Sequence, residues 1–216
     1  MRKTYEYKEA IKLLIEEKAI EVFSKKGYNS TNMQDIADAV GISRGPLYYH
    51  YKNKIDLYNH VAEIYILNET MRYKNIFEQN SSIFEKIYND LICCTEGSVR
   101  RFFMDSYLYE ELTYAKNKFI DFLNWIYQLK LENINEAIKN GHLKRDTDGK
   151  IIVDLIFIFY NGIVQMVDDD FYKNHEIKVE TCINSFIEGL KNTYEKKWNL
   201  RYNNKCTYII YVHLNY

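Results

Sequence analysis

Helix-breaking residues are scarce in this sequence of 216 residues, which contains one proline and eight glycines. With so few breakers, long helices joined by short loops are the expected structure. The hydrophobic fraction of 47% and the charged fraction of 27% are those of a globular protein, not of a disordered one. A chain of this length can bury a core without disulfide bonds.

An excess of positive charge is also missing, since the formal net charge is −1. This balance excludes a uniformly basic nucleic-acid binder, but it allows a local basic patch. Residues 43–54, SRGPLYYHYKNK, form such a patch, with two lysines, one arginine and no acidic residue. The longest apolar run, residues 151–167, is interrupted by Asp154, Asn161 and Gln165, so it is too short and too polar to span a bilayer.

The four cysteines show no spacing typical of a metal site or a secreted disulfide framework, and no signal-peptide pattern is present. We therefore expect a cytoplasmic protein with reduced thiols, no metal and no cofactor. The adjacent Cys93 and Cys94 could sense oxidation or soft metals, but two small buried residues on a helix are the simpler interpretation. The sequence also lacks HExxH, GxSxG, a phosphate-binding glycine loop and a Cys/His pair at catalytic spacing, so we do not expect an enzyme.

The N-terminal region shows apolar residues at helical spacing. They predict a first helix over residues 5–26, which Gly27 is placed to end. Thr31 followed three residues later by Gln34 matches a capping box, so a second helix is predicted to start at Thr31. It is predicted to stop at Gly41, which can adopt the positive φ of a tight turn.

Residues 31–51 therefore read as two short helices joined by a three-residue turn that begins at Gly41, the outline of a helix-turn-helix. Ser43 is the predicted N-cap of the second of these helices. Ala37 is small where the two helices cross, and Leu47 fills the angle between them. Tyr48, Tyr49 and Tyr51 cannot all face inward from nearby helical positions, so Tyr51 is predicted to be buried and the other two exposed. The second helix is then held above the surface, where it can enter a major groove about 12 Å wide.

The rest of the sequence also has a helical pattern. A helix is predicted to begin at Asn53, with Asp56 in its first turn, and to run to about residue 75. Further helices are predicted over residues 81–95, 98–112, 114–140, 148–167 and 179–198. The tail at 199–216, with its CTYIIYV segment, is rich in β-forming residues and has no helical period, so its structure stays open.

The stretch TNMQDIADAVGISRGPLYYHYKNKIDL, residues 31–57, resembles the DNA-binding region of the TetR family of bacterial transcriptional regulators. The resemblance covers roughly residues 8–62, and Tyr51 stands where the family more often has phenylalanine. It implies an all-α fold, with an N-terminal three-helix helix-turn-helix DNA-binding domain joined to a C-terminal helical ligand-binding and dimerisation domain. The domains would be residues 1–62 and 63–198, followed by the tail.

The resemblance also implies DNA contacts. Residues at the start of the second helix of the helix-turn-helix, the recognition helix, would contact base edges, and the residues around it would contact phosphates. These residues are Thr31, Arg44, Gly45, Pro46, Tyr48, Tyr49, His50 and Lys54. Physical arguments agree for two of them. Arg44 carries the side chain best suited to bidentate recognition of guanine. Lys54 lies in the first turn of a helix, where its charge opposes the helix dipole unless an anion is bound there.

A dimer is expected from residues 151–167, which are apolar nearly all round, since such a helix is buried on more than one side. A monomer could enclose it, but a two-fold interface built with the helix at 179–198 is the interpretation we prefer. The predicted interface residues are Ile156, Phe159, Gly162, Ile163, Ile183, Phe186 and Leu190. Such a dimer would present two recognition helices to successive major grooves of a palindromic site.

An effector pocket is implied mainly by the resemblance. The candidate lining residues are aromatic: Phe102, Phe103, Tyr107, Phe122 and Trp125. Aromatic residues at helical spacing are also typical of an ordinary core. The sequence thus predicts a homodimeric repressor that an unknown small-molecule effector releases from operator DNA. The alternative is a TetR-like DNA-binding protein without such a ligand, which is controlled by a protein partner or constitutively active.

Overall fold

A computed structural model of the chain describes residues 2–93, 100–168 and 178–196. Over these residues the fold is all-α, with an isolated bridge between Leu143 and Glu195 as its one β-type contact. The helices are α1 Arg2–Lys26, α2 Met33–Val40, α3 Arg44–His50, α4 Lys54–Phe77, α5 Ile83–Cys93, α6 Arg100–Leu108, α7 Thr113–Lys139, α8 Gly149–Asp168 and α9 Val179–Tyr194, with a 3-10 turn at Glu110–Leu112. The tail at 199–216 and Cys94 lie outside the described residues.

Most predicted helices are confirmed, with changed ends. The first begins at Arg2 rather than Tyr5, and the last ends at Tyr194. Gly27, Gly41 and Gly141 end helices with φ of 76–81°, as glycine at these positions predicts. Among the described residues, no helix is long and apolar enough to cross a membrane.

The start of α2 was predicted wrongly. The N-cap is Asn32, whose side chain accepts hydrogen bonds from the backbone N–H groups of Gln34 and Asp35, at 2.8 and 3.0 Å. The Asp35 carboxylate in turn accepts from the Asn32 N–H at 2.8 Å, which completes a capping box one residue later than predicted. Thr31 is buried instead, and its hydroxyl donates to the Gly27 carbonyl at 2.7 Å.

Within the described residues, three apolar clusters hold the helices together. The first lies among α1 to α4 and includes Ile15, Phe23 and Leu47, but it also takes in Phe102 of α6 and Phe119 of α7. The second is built from α5, α7, α8 and α9, and the third from α4 and α7. Because α4 runs unbroken from Lys54 to Phe77, it crosses the domain boundary predicted at residues 62 and 63 and belongs to both parts.

Candidate nucleic-acid interface

The turn between α2 and α3 sets the direction of α3. Gly41 has φ 76° and ψ 32°, a left-handed conformation that costs glycine little. Its N–H donates to the Asp38 carbonyl at 3.1 Å, and the N–H of Ile42 donates to Ala37 at 3.0 Å. These bonds satisfy the last carbonyls of α2, while Ser43 caps α3 by position, without a side-chain hydrogen bond.

Helix α3 is anchored by two buried residues, and its other residues are exposed or half-buried. Leu47 and Tyr51, at its C-cap, are buried, as the sequence predicted. The exposed residues include Arg44, Gly45 and Pro46, while Tyr48 and Tyr49 are 49% and 66% exposed and His50 is half-buried. A helix that shows two adjacent tyrosines and an arginine to solvent is typical of a contact surface.

Tyr51 ties α3 to two neighbouring helices. Its hydroxyl donates to the Glu16 carboxylate of α1 at 2.7 Å, and Nε2 of His60 in α4 lies 2.7 Å from the same oxygen. Burial and the hydrogen bond to Glu16 raise the pKa of Tyr51 far above its ordinary value. This cluster fixes the base of α3, and a phenylalanine at position 51 could not form it.

An open concavity with a volume of about 420 Å³ lies beside α3, between the N-termini of α2 and α4. Its lining residues are Thr31, Asn32, Met33, Gln34, Arg44, Tyr48, Asn53 and Lys54. Asn53 caps α4 by accepting from the Asp56 N–H at 2.8 Å, so both helix starts around the concavity are capped. Helix N-termini carry partial positive charge, which favours an anion such as a phosphate.

Lys54 and Thr31 play roles inside this surface that the sequence did not show. Lys54 Nζ donates to the carbonyls of Tyr28 and Thr31 at 2.8 and 2.9 Å and lies 4.2 Å from the centre of the Tyr28 ring. Burial lowers the pKa of Lys54. Thr31 is 2% exposed and its hydroxyl donates to the Gly27 carbonyl, so its side chain is not free for the phosphate contact that the resemblance implied.

Two further side chains reach the interface that sequence reasoning missed. Lys8 of α1 donates from Nζ to the Tyr49 hydroxyl at 3.3 Å and lies 4.5 Å from the centre of that ring. Gln34 of α2 accepts from Nε of Arg44. Lys8 precedes Tyr49 by 41 residues, so no local pattern could have joined them.

The five predicted pocket residues do not gather around one space. Phe102 is fully buried against Phe23 and Tyr58, and thus belongs to the first cluster. Phe122 and Trp125 stack in the third cluster, with ring centres 6.1 Å apart. Phe103 touches both clusters, whereas Tyr107 is 39% exposed.

The predicted dimer-interface residues fall into two groups, one buried in the core of the single chain and one half-buried or exposed. Ile156, Ile163, Ile183 and Leu190 are buried within the single chain, so they are corrected to core residues of the second cluster. Phe159 and Phe186 are half-buried and stack on each other, 4.2 Å between ring centres, which joins α8 to α9. Gly162 is exposed, on the same face of α8 as Ile151 and Ile158, so this outer face is the part of α8 that is accessible to a second copy.

Comparison with known proteins agrees with this geometry. A sequence model of the family described as "Bacterial regulatory proteins, tetR family" matches residues 15–61. The HTH-type transcriptional regulator AcrR of Shigella flexneri is 36% identical over 63 residues, which are 29% of this chain and 29% of AcrR. The biofilm operon regulator IcaR of Staphylococcus epidermidis is 47% identical over 45 residues, 21% of this chain and 24% of IcaR. These matches span less than a third of either relative.

Solved structures share the fold over more of the chain. The transcriptional regulator FadR of Bacillus subtilis, in complex with stearoyl-CoA, is 19% identical with a TM-score of 0.61, over 82% of this chain and 96% of FadR. A putative regulator of Saccharomonospora viridis, in complex with choline, is 18% identical with a TM-score of 0.69, over 88% of this chain and 99% of that one. The helix-turn-helix region of the chain, residues 15–61, thus matches the tetR family of bacterial regulatory proteins, and the chain shares its overall fold with these solved structures.

Proposed function

We propose that this chain is a homodimeric, sequence-specific DNA-binding regulator, a repressor that a small-molecule effector releases from a palindromic operator. The observation that carries the proposal is α3, a helix held above the surface by Leu47 and Tyr51, with Arg44, Tyr48 and Tyr49 exposed. Both curated relatives are named transcriptional regulators, which agrees with the expectation that the chain is not an enzyme.

The surface around α3 suits DNA in two ways. Arg44 can read a base edge, and the bare backbone at Gly45, which is exposed, can approach the DNA closely. The concavity beside α3 suits a phosphate, since two capped helix starts and Lys54 face it. Lys54 has three N–H donors and uses two on carbonyls, which leaves one for a phosphate oxygen.

The link between the two parts of the chain gives an effector a route to α3. The N–H of Tyr28, in the loop between α1 and α2, donates to the Asp105 carboxylate of α6 at 2.5 Å. The hydroxyl of Tyr58 in α4 donates to the Phe102 carbonyl of the same helix α6. An effector that prefers a different position of α6 would therefore move the DNA-binding helices and lower DNA affinity.

Two structural neighbours were solved in complex with small molecules, stearoyl-CoA and choline, which supports control of this protein by a small molecule. We infer a ligand for this chain by analogy of fold only. Thermal unfolding in a panel of lipophilic and cationic compounds checks the inference, because a ligand of the folded state raises the unfolding midpoint. A panel without any stabilising compound would favour control by a protein partner.

The operator test begins with selection of binding sites from random DNA by the wild-type protein. Arg44→Ala should then weaken binding to the selected site by about 1–3 kcal/mol, with much less effect on random DNA. Arg145→Ala, an exposed arginine between α7 and α8, is the matched control and should leave both affinities unchanged. An equal loss on both DNAs would make Arg44 a backbone contact, and no selected sequence at all would refute the proposed function.

Lys54→Ala tests the phosphate site. We expect the slope of log affinity against log salt to fall by about 1 on any DNA, because one phosphate contact is lost. The two lost hydrogen bonds should also lower the free energy of unfolding by about 1–3 kcal/mol. Lys52 is an exposed lysine two residues earlier, and Lys52→Ala is the control, which should leave the free energy of unfolding unchanged. An unchanged salt slope would limit Lys54 to its structural role.

A further inference from the structure

The C-terminal part of the chain buries a charged pair in its interior. Nζ of Lys130, in α7, lies 2.6 Å from a carboxylate oxygen of Asp90, in α5, and these side chains are 2% and 0% exposed. Lys130 lies where the second and third apolar clusters approach each other, since Phe157 belongs to the surroundings of both. Both charged groups are therefore shielded from water.

Aromatic rings complete the surroundings of the ammonium group. Nζ of Lys130 lies 4.8 Å from the ring centre of Phe157, 5.5 Å from that of Tyr73 and 5.8 Å from that of Tyr160. Ring faces attract cations within about 6 Å. One carboxylate and three rings, contributed by α4, α5 and α8, thus favour a positive charge at a single position, which we call the cation position.

Stability alone is a poor reason for this arrangement. The desolvation of two charges offsets much of their attraction, and apolar residues of similar volume are often as good or better in such places. The two surrounding clusters already supply apolar packing. A carboxylate held inside an aromatic enclosure is, by contrast, what the recognition of an organic ammonium ion requires.

We propose that the cation position is the site that recognises an effector, and that the effector is a hydrophobic organic cation whose ammonium group replaces that of Lys130. This inference rests on the proposed function, because it names the ligand class of the regulator. The Lys130 side chain has a flexible four-carbon stem that can withdraw its charged head, whereas the short Asp90 side chain stays in place. The neighbouring apolar clusters would receive the hydrocarbon part of the ligand.

An anionic ligand fits these surroundings less well. It would have to displace the Asp90 carboxylate from Lys130 and then bring its own negative charge against the ring faces of Tyr73, Phe157 and Tyr160. Ring faces carry the negative part of the aromatic quadrupole and repel an anion. The structure therefore distinguishes the sign of the ligand charge.

Removal of the internal ammonium tests the site directly. Lys130→Ala removes three carbons and the ammonium group, which n-propylammonium can restore, while 1-propanol and propionate serve as neutral and anionic probes of similar size. We expect n-propylammonium to raise the thermal unfolding midpoint of this variant by several degrees and the other two probes to have little effect. Equal effects of the three probes would overturn the proposal.

Lys86→Ala is the matched control. Lys86 is half-buried, but its Nζ donates to the Phe77 carbonyl and the Asn133 side chain, at 2.7 and 2.9 Å, rather than to a carboxylate among rings. We expect no preference for n-propylammonium in this variant. The same preference in both variants would show a general effect of the amine and would count against the site.

A second pair of variants covers the case in which Lys130→Ala does not fold. Lys130→Met keeps the apolar stem, and Lys130→Met with Asp90→Asn removes the carboxylate as well. Hexyltrimethylammonium, followed by tryptophan fluorescence, should bind the single variant about tenfold more tightly than the double variant. Equal affinities would overturn the proposal.

DNA binding measured on the same samples separates this inference from the proposed function. If the wild-type protein selects an operator but the variants show no preference for cations, the cation site is wrong and the regulator stands. If the cation preference is found but no DNA sequence is selected, the cation site stands and the proposed function is wrong.

Discussion

Tyr51 shows how one residue secures the recognition helix. Its ring is part of the first apolar cluster, and its hydroxyl donates to the Glu16 carboxylate. Nε2 of His60 lies within hydrogen-bond distance of the same carboxylate oxygen. The sequence pattern separated this buried tyrosine from the exposed Tyr48 and Tyr49, because successive helical positions cannot all face inward. It did not show the carboxylate partner, which lies 35 residues earlier in the chain.

Tyr51→Phe should lower the free energy of unfolding by about 0.5–1.5 kcal/mol near neutral pH, since one buried hydrogen bond is lost. The raised pKa of Tyr51 in the folded state also sets a pH dependence. Its stabilising contribution is complete below about pH 10, where unfolded tyrosine titrates, and is lost as the pH rises further. The stability difference between wild type and variant should therefore shrink above about pH 10.

Urea unfolding of the two proteins between neutral pH and the onset of alkaline unfolding measures this difference. Tyr48→Phe, at an exposed tyrosine of the same helix, is the control and should match the wild type at every pH. A constant difference between wild type and Tyr51→Phe across the pH range would contradict the assigned hydrogen bond.

At the scale of elements, the start of α2 shows the limit of a local pattern. Thr31 and Asn32 are both able to cap a helix, and each has a suitable partner three residues later, Gln34 and Asp35 respectively. The choice is made by the loop before α2, where the Thr31 hydroxyl donates to Gly27 and its carbonyl accepts from Lys54. Because the Thr31 side chain is engaged in these contacts, Asn32 is the residue that caps α2.

Asn32→Ala should therefore lower the free energy of unfolding by about 1 kcal/mol, because two backbone N–H groups of α2 lose their acceptor. Chemical denaturation of the variant measures the loss. Asn29→Ala, at an exposed asparagine of the same loop, should leave stability unchanged. If both variants behave alike, Asn32 is not the cap in solution.

At the scale of the whole molecule, the outer face of α8 is the surface that we propose for contact with a second copy of the chain. Ile151 and Ile158 are 49% and 70% exposed on a helix whose opposite side is buried in the second cluster. Gly162 lies on the same face and would permit close backbone packing. Two exposed isoleucines and a glycine on one face are typical of a helix that packs against a partner.

Ile158→Asp should turn the proposed dimer into a monomer, because it places a charge at the centre of this face, with the helical content unchanged. Analytical ultracentrifugation measures the mass, and binding to the selected palindromic operator should fall together with the dimer. Leu67→Asp, at an exposed leucine of α4, is the control and should remain dimeric. A wild-type protein that sediments as a monomer would remove the dimer from the proposed function.

The sequence alone determined the helical class, the helix-turn-helix and the split of α3 into buried and exposed residues. These features depend on residues within one or two helical turns of each other, so periodicity, caps and glycines are enough to predict them. Pocket and interface residues could not be predicted in this way, because an apolar residue gives the same signal whether it faces a core, a ligand or a partner.

Only the tertiary structure decided which of these alternatives applies to each residue. It placed Ile156 and Ile183 in the core, turned Lys54 towards two carbonyls and brought Lys8 to Tyr49. It also paired Lys130 with Asp90, 40 positions apart in the chain, among aromatic side chains. The physical reason is the same in each case: the environment of a side chain is set by the helices that pack around it, and those are chosen by the whole fold rather than by neighbouring sequence.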